Sequence, residues 1–162
     1  MFCIHYLPGT RIKKILEPLA IAANVIQASH TRLDHVLLTL ANLYRIYSST
    51  DGGFDSELSE GVVRSIEKRW AKVNQDIYIT AVFLNPFIRA RIFHPSALTN
   101  SALLSIVERV YEKLLRTSSN TDFMAAFLDY KDEKGEFTRD AMHLQNMADR
   151  SEAEVCSAVY HF

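Results

Sequence analysis

This sequence contains few cysteines and carries almost no net charge. Of its 162 residues only 2 are cysteines, and Cys3 and Cys156 lie at opposite ends without a C-x-x-C spacing. A secreted disulfide scaffold is therefore not predicted, and a reducing compartment is the simpler interpretation. The formal net charge is −1, so the whole chain offers no electrostatic attraction to nucleic acid or to an anionic membrane surface.

Long apolar runs and the common catalytic motifs are also missing. No run approaches the roughly 20 apolar residues of a membrane span, and the first residues lack the basic and apolar regions of a signal peptide. The sequence contains no G-x-S-x-G motif, no Gly-rich phosphate loop and no H-E-x-x-H motif. Nucleophilic hydrolysis, nucleotide binding and zinc hydrolysis therefore have no support, and no cofactor is predicted.

The chain does contain enough apolar material for one domain, and its charges are segregated. With 48% hydrophobic content, its 162 residues can bury about two-thirds of their unfolded surface, which predicts a single compact domain over 1–162. Residues 64–91 carry six bases against two acids, whereas residues 121–154 carry nine acids against four bases. The acidic stretch is typical of a solvated face.

Apolar residues recur at helical spacing along most of the chain, which predicts an all-α fold of six or seven helices in an irregular bundle. The clearest stripe runs from Leu33 to Tyr47, where Thr31 and Asp34 resemble a capping box. Before it, Pro18 is predicted to begin a helix, because the residue preceding a proline disfavours helical geometry. Further helices are predicted from about Leu58 to Val73, from an Asn100 or Ser101 cap to Leu115, and after a Thr138 cap, with loops at 48–57 and 131–137.

The longest apolar run extends from Ile77 to Leu84 and follows Trp70, the only tryptophan. We predict a buried helix there, although its good strand formers leave a buried strand as the alternative. Asn85 and Pro86 come next and predict the start of a new helix, because asparagine favours the N-cap and proline the first helical position. Trp70 lies on the apolar stripe of its own helix, which indicates core packing more than a base-stacking platform.

The segment Leu84–Arg89, which reads Leu-Asn-Pro-Phe-Ile-Arg, resembles the hexapeptide Leu-Asp-Pro-Arg-Phe-Lys of hAT-superfamily DNA transposases, in a form similar to fungal transposon-derived sequences. Lys68–Trp70 stands where that family usually has Lys-Tyr-Trp, and Ile15–Leu19 is similar to its Leu-Leu-x-Pro-Phe segment. The resemblance covers roughly residues 12–93. It implies the helical insertion region of a ribonuclease H-like catalytic domain, without the sheet core of that domain.

Two differences from the family hexapeptide bear on its role. Asn85 stands in place of aspartate, a change that is nearly neutral for an N-cap but not for a metal ligand. We therefore interpret the motif as structural. Phe87 stands in place of arginine, so any phosphate or carboxylate contact of that arginine is not expected here. By resemblance, the catalytic carboxylates would lie outside this chain, which is predicted not to be an enzyme.

Two groups of side chains could in principle bind a metal ion. The aspartates of the acidic region are scattered over a loop and helix ends, as on a solvated surface. His30, Asp34 and His35 lie close in sequence, but a Thr31 cap would leave His30 outside the helix, in an exposed turn. No metal site is therefore predicted. The four candidate aspartates of the acidic region are Asp122, Asp129, Asp132 and Asp140.

Arg64, Lys68 and Lys72 recur every four residues and are predicted to form one basic ridge on a helix. Arg89 and Arg91 would add to this ridge only if their helix packs alongside with its basic face aligned. The ridge could touch DNA phosphates, and three charges alone would give weak, sequence-blind binding with a salt slope of about −2.7. A solvated helix face is the alternative.

By resemblance, the complete parent protein would bind DNA in the nucleus and cut it with a metal-dependent acidic triad. This chain is expected to be a catalytically incomplete part of such a transposase, located in the nucleus or the cytoplasm. Its expected partners are the remainder of the catalytic domain and, weakly, DNA, with no membrane. The alternative is a free-standing helical interaction module, whose stripes at 33–47 and 103–115 would bind a partner helix.

Overall fold

The computed structural model describes residues 8–49 and 55–149. All regular structure in these ranges is helical and none of it is a strand, which confirms the predicted all-α class and makes the apolar run after Trp70 a helix. In the same ranges, no helix combines the length and apolar character needed to cross a membrane. The main helices are α1 (Pro8–Gln27), α2 (Leu33–Ser48), α3 (Ser56–Trp70), α4 (Gln75–Phe83), α5 (Asn100–Leu115) and α6 (Thr121–Lys131).

Shorter helical segments complete the architecture. Arg89–Ile92 and Gly135–Phe137 are single 3-10 turns, and residues 144–149, where the described ranges end, are helical and are called α7. The predicted loops are shorter than expected, because α3 already begins at Ser56 and α6 includes Lys131. Residues 50–54 at the centre of the first loop lie outside the described ranges.

The chain divides into two compact units, Met1–Val82 and Phe83–Phe162. In the first unit, α2 packs against both α1 and α3. This arrangement places the conspicuous apolar stripe of α2 between two neighbours, and burial of such stripes is the main stabilising force in a helical unit. One core cluster of this unit consists of the buried residues Ala22, Leu43, Tyr47 and Ile66, with Leu19, Leu40, Ile46, Leu58, Val62 and Val63 packed against it.

The prediction that Pro18 begins a helix is wrong, because α1 continues through it. A proline inside a helix removes one backbone hydrogen bond and strains the preceding turn. Tertiary packing overrides this preference: Leu19 and Ala22, on the C-terminal side of the proline, pack in the core of the first unit. In the turn before it, the Ile15 carbonyl accepts a hydrogen bond from the Tyr47 hydroxyl of α2.

The predicted capping box at the start of α2 is also wrong. The N-cap residue is Arg32, and the Thr31 hydroxyl instead donates to the Val25 carbonyl at the end of α1. Asp34 is buried and accepts two hydrogen bonds from Arg32, from Nε at 3.0 Å and from Nη2 at 2.7 Å. This forked pair raises the pKa of Arg32 through its hydrogen bond to Asp34. The carboxylate therefore anchors the entry to α2 through an arginine rather than through a threonine cap.

Aromatic contacts dominate the second unit. The Phe83 ring stacks on Phe127 at 5.0 Å and meets the edge of Tyr130 at 5.3 Å. Tyr111 of α5 lies 4.5 Å from Phe123 of α6, which joins these two helices. Such ring pairs stabilise a core beyond the area they bury. The other buried apolar side chains of this unit are Leu103, Ile106, Val107, Val110 and Leu144.

Two caps in the second unit differ from prediction. The hydroxyl of Thr99, not Asn100 or Ser101, caps α5 by accepting from the Ala102 amide at 3.2 Å. Thr138 does accept from the Ala141 amide at 3.3 Å, but a turn rather than a helix follows directly. Both cases shift a helix start by a few residues, which local capping signals alone do not fix.

Candidate functional site

The hexapeptide Leu84–Arg89 forms a capped turn at the end of α4. The Asn85 side chain accepts a hydrogen bond from the Phe87 amide at 3.0 Å, as expected for a capping asparagine. The helix predicted to begin at Pro86 does not follow, however. Arg89 adopts a left-handed backbone conformation with φ of 52°. Only a single turn therefore follows Asn85, and the chain continues into the 3-10 segment Arg89–Ile92.

The side chain of Arg89 is the centre of this region, because it is 1% exposed and reaches across to the end of α6 and the following 3-10 turn. Nη1 donates to the Tyr130 carbonyl at 2.6 Å, and Nη2 donates to the Phe137 carbonyl at 2.6 Å. Nε donates to the Pro86 carbonyl at 3.2 Å, and Nη2 also lies 3.4 Å from the Met142 sulfur. We call Arg89 with these partners the Arg89 hub.

The hub holds a charge without any carboxylate among its hydrogen-bond partners in the described ranges. The guanidinium carbon lies 4.7 Å from the centre of the Tyr130 ring, a cation–π contact that replaces part of the lost hydration. Burial lowers the pKa of Arg89, yet arginine starts so far above neutral pH that the group stays protonated. A buried charge is tolerated only when its donors are satisfied, and here carbonyl oxygens satisfy them.

Tyr130 also forms a hydrogen bond with Leu84, the first residue of the hexapeptide. Its hydroxyl donates to the Leu84 carbonyl at 2.8 Å, while its own carbonyl accepts from Arg89. Burial raises the pKa of the Tyr130 phenol, with the nearby Arg89 charge opposing the shift. The two ends of the hexapeptide are thus fastened to one residue of α6, which makes the motif a structural clamp.

The five candidate phosphate contacts do not remain equivalent. Arg89 is buried, which removes it from the side chains that could reach a phosphate. Arg91 is exposed and forms an ion pair with Glu133. Arg64 and Lys68 are exposed on successive turns of α3. Lys72 lies beyond the end of α3, and its amide donates to the Arg69 carbonyl at 3.1 Å, so it leaves the four-residue repeat of the ridge.

Trp70 ends α3 and is half-buried, so it is neither a fully packed core residue nor a free stacking platform. Its ring meets the edge of Tyr78 on α4 at 6.0 Å, with the ring planes at 62°. Its remaining surface lines an apolar groove of about 280 Å³ between α2 and α3. The groove is lined by Leu37, Leu40, Ala41, Tyr44, Ile66, Glu67 and Trp70.

Acidic and histidine side chains do not converge on a metal position in the described ranges, where no group of three or more His, Cys, Asp or Glu is placed to hold an ion. Asp34 is engaged by Arg32, and His30 is exposed on the turn before α2. In the acidic region, the Asp132 carboxylate accepts hydrogen bonds from the side chains of Lys131 and Lys134. Both bonds lower the pKa of Asp132, and the bond from Lys131 contributes more.

The Arg89 hub is the feature that sequence reasoning missed. In the sequence, Arg89 and Arg91 are alike as candidate surface bases, because both follow the Asn-Pro pair. The available signal was the surroundings of Arg89, since a single base among Phe87, Ile88 and Ala90 in a short apolar stretch is also compatible with a buried, carbonyl-bound guanidinium. Its partners at Tyr130 and beyond are more than forty residues away in sequence, which no local pattern indicates.

The Asn85 cap provides a direct test of the structural interpretation of the motif. We expect Asn85→Asp to change the free energy of unfolding by less than about 0.5 kcal/mol, because both side chains accept the capping hydrogen bond. Asn85→Ala removes the acceptor and should destabilise by about 1 kcal/mol. Urea denaturation followed by far-UV circular dichroism measures both. If Asn85→Asp were as damaging as Asn85→Ala, the cap would not be the role of this side chain.

The basic ridge of α3 provides a second test. With Arg64 and Lys68 as its helical members, we expect any binding to duplex DNA to be weak, with a slope of log affinity against log salt no steeper than about −1.8. Arg64→Ala/Lys68→Ala should abolish that slope, whereas the matched control Arg69→Ala, an exposed base elsewhere on the same helix, should leave it unchanged. A steeper slope, or one that survives the double substitution, would contradict this assignment.

Comparison with known proteins gives no match: no family model, no curated protein and no solved structure is significantly similar to this chain.

Proposed function

We propose that this chain is a helical packing region of an hAT-like transposase, which binds the remainder of the catalytic domain and contributes no catalytic carboxylate. In this proposal the parent protein acts on DNA in the nucleus, and DNA contact by the chain itself is weak and sequence-blind. The resemblance of the hexapeptide Leu84–Arg89 to the family motif is the starting point.

The Arg89 hub is the observation that carries the proposal. A motif retained for catalysis would present its polar side chains to a substrate. Here the hexapeptide instead uses Asn85 as a cap, the Leu84 and Pro86 carbonyls as acceptors and Arg89 as a buried donor. This use supports a motif that positions helices, in agreement with the substitution of asparagine for aspartate in the capping position.

Exposed apolar side chains support a packing role as well. On α1, Ile12 and Leu16 are more than half exposed, and Leu114 at the end of α5 is 70% exposed. Single exposed apolar residues are normal, but repeated ones along a helix mark surfaces that pack on another protein. The predicted stripe of α5 is accordingly buried at Leu103 and Val107 and uncovered at its C-terminal end.

A free-standing helical interaction module is the second candidate, and the groove between α2 and α3 favours it. The groove is apolar and lies on the predicted α2 stripe, where Tyr44 at its edge is 43% exposed. Grooves of this kind accept an apolar face of a partner helix. The two candidates differ in what covers the surfaces: another part of the same parent, or an unrelated protein.

The coding sequence on either side of this chain separates the two. The transposase proposal expects an open reading frame with acidic residues in ribonuclease H-like strands upstream and a dimerisation segment downstream. Co-expression of those segments should then recover a stable complex with this chain. Flanking sequence without such segments would overturn the transposase proposal and favour the interaction module.

The expected lack of DNA-cleaving and DNA-joining activity is a biochemical test of the same proposal. Purified protein with Mg²⁺ or Mn²⁺ should neither nick nor join DNA, because two-metal phosphoryl chemistry needs clustered acids to hold the ions. Gel assays on supercoiled and linear DNA measure this. DNA cleavage that disappears in Asp129→Asn or Asp132→Asn would contradict the proposal and place chemistry in the acidic region.

A further inference from the structure

The outward face of α6 combines exposed apolar side chains with unpaired carboxylates. Phe123, Phe127 and Tyr130 occupy the inward face at helical spacing, with Phe127 and Tyr130 buried. On the other side, Met124 and Leu128 are 39% and 49% exposed and lie one helical turn apart. They form a short apolar row that no described residue of the second unit covers.

An acidic edge runs beside this row. Asp122 and Asp129 are exposed, and neither side chain forms a hydrogen bond or an ion pair with any other described residue. They are seven residues apart and therefore lie on one side of α6, about 10 Å from each other along the axis. Ala125, also exposed, lies between them and the apolar row and leaves room for a close approach.

We propose that this face, consisting of Met124, Ala125 and Leu128 with Asp122 and Asp129 at its edge, docks a basic amphipathic helix of another protein. Apolar side chains of that helix would cover Met124 and Leu128. Lysine or arginine residues about seven positions apart would pair with the two carboxylates.

Charge complementarity selects this occupant over an acidic or uncharged helix. The surrounding region carries nine acids against four bases over residues 121–154, so an approaching acidic segment is repelled and a basic one is attracted. Methionine adapts its shape to different partners, and apolar contact with Met124 and Leu128 supplies attraction that is not electrostatic. The inference goes beyond the packing role proposed above, which assigns no partner to α6, and it does not depend on the transposase resemblance.

A pair of synthetic helical peptides tests the proposal on the full chain. Both carry leucines at i, i+4 and i+7 spacing; one has lysines at the two edge positions and the other has glutamates. We expect the lysine peptide to bind more tightly than the glutamate peptide by about fivefold to tenfold in low salt, measured by fluorescence anisotropy. High salt should reduce this preference.

Variants assign the binding to α6. Asp122→Asn/Asp129→Asn should remove the preference for the lysine peptide, whereas Glu136→Gln/Asp140→Asn removes the same charge elsewhere in the acidic region and should keep the preference. Leu128→Ser should weaken both peptides, whereas Leu115→Ser, the same change at an exposed leucine of α5, should not. Circular dichroism checks that the variants remain folded, which is expected because every substituted side chain is exposed.

Three outcomes would overturn the inference. The first is equal binding of the two peptides. The second is a preference that survives Asp122→Asn/Asp129→Asn. The third is self-association of the chain that this double variant removes, since the occupant would then be a second copy. A failed peptide test leaves the transposase proposal standing, because that proposal is decided by flanking sequence and complex formation.

Discussion

Substituting Arg89 by alanine is expected to destabilise the second unit by about 3 to 5 kcal/mol, one of the two largest effects expected for this protein. The change leaves the Tyr130 and Phe137 carbonyls without their donors and opens a cavity beside the Tyr130 ring. Far-UV circular dichroism in urea measures the loss. Fluorescence of Trp70, the only tryptophan, reports on the first unit and does not follow this change directly.

Two further variants separate the side chain of Arg89 from its backbone. Arg89→Gly also removes the guanidinium but tolerates the φ of 52°, so it should be less destabilising than Arg89→Ala by about 1 kcal/mol. Arg89→Lys keeps the charge without the planar fork and should fall between alanine and wild type. Arg91→Ala is the matched control, because its pair with Glu133 is solvent-exposed and worth less than about 1 kcal/mol. If Arg89→Ala were as mild as this control, the hub would not hold the unit together.

The second large effect is expected at Tyr47 in the first unit. Tyr47 is 2% exposed and packs with Ala22, Leu43 and Ile66 in the core, so Tyr47→Ala should cost about 3 to 5 kcal/mol. Tyr47→Phe keeps the ring but loses the hydrogen bond to the Ile15 carbonyl, and should cost about 1 to 2 kcal/mol. Trp70 fluorescence in urea follows both variants.

Tyr44→Ala is the control for Tyr47. It lies three residues earlier on α2 and is 43% exposed against 2% for Tyr47, so less than about 1 kcal/mol is expected from the same type of truncation. An equal loss at both positions would mean that burial does not distinguish them. An unchanged Tyr47→Phe variant would mean that the hydroxyl does not support the turn before Pro18.

The sequence by itself determined the helical class and the position of most helices. Apolar residues at three- and four-residue spacing identify a helix whatever it packs against, so α2, α3 and α5 are readable from the chain. The capping role of Asn85 was also readable, because the hydrogen bond joins residues two apart. These features depend on neighbours along the backbone.

Only the tertiary structure decided what happens where a distant residue competes with a local preference. Pro18 stays inside α1 because core packing of Leu19 and Ala22 outweighs the local cost of a proline. The turn after Asn85 ends at Arg89, whose guanidinium bonds to carbonyls of Tyr130 and Phe137 far along the chain. Whether a base is a surface charge or a buried donor depends on such long-range partners, and their positions follow from packing, which spacing along the sequence does not encode.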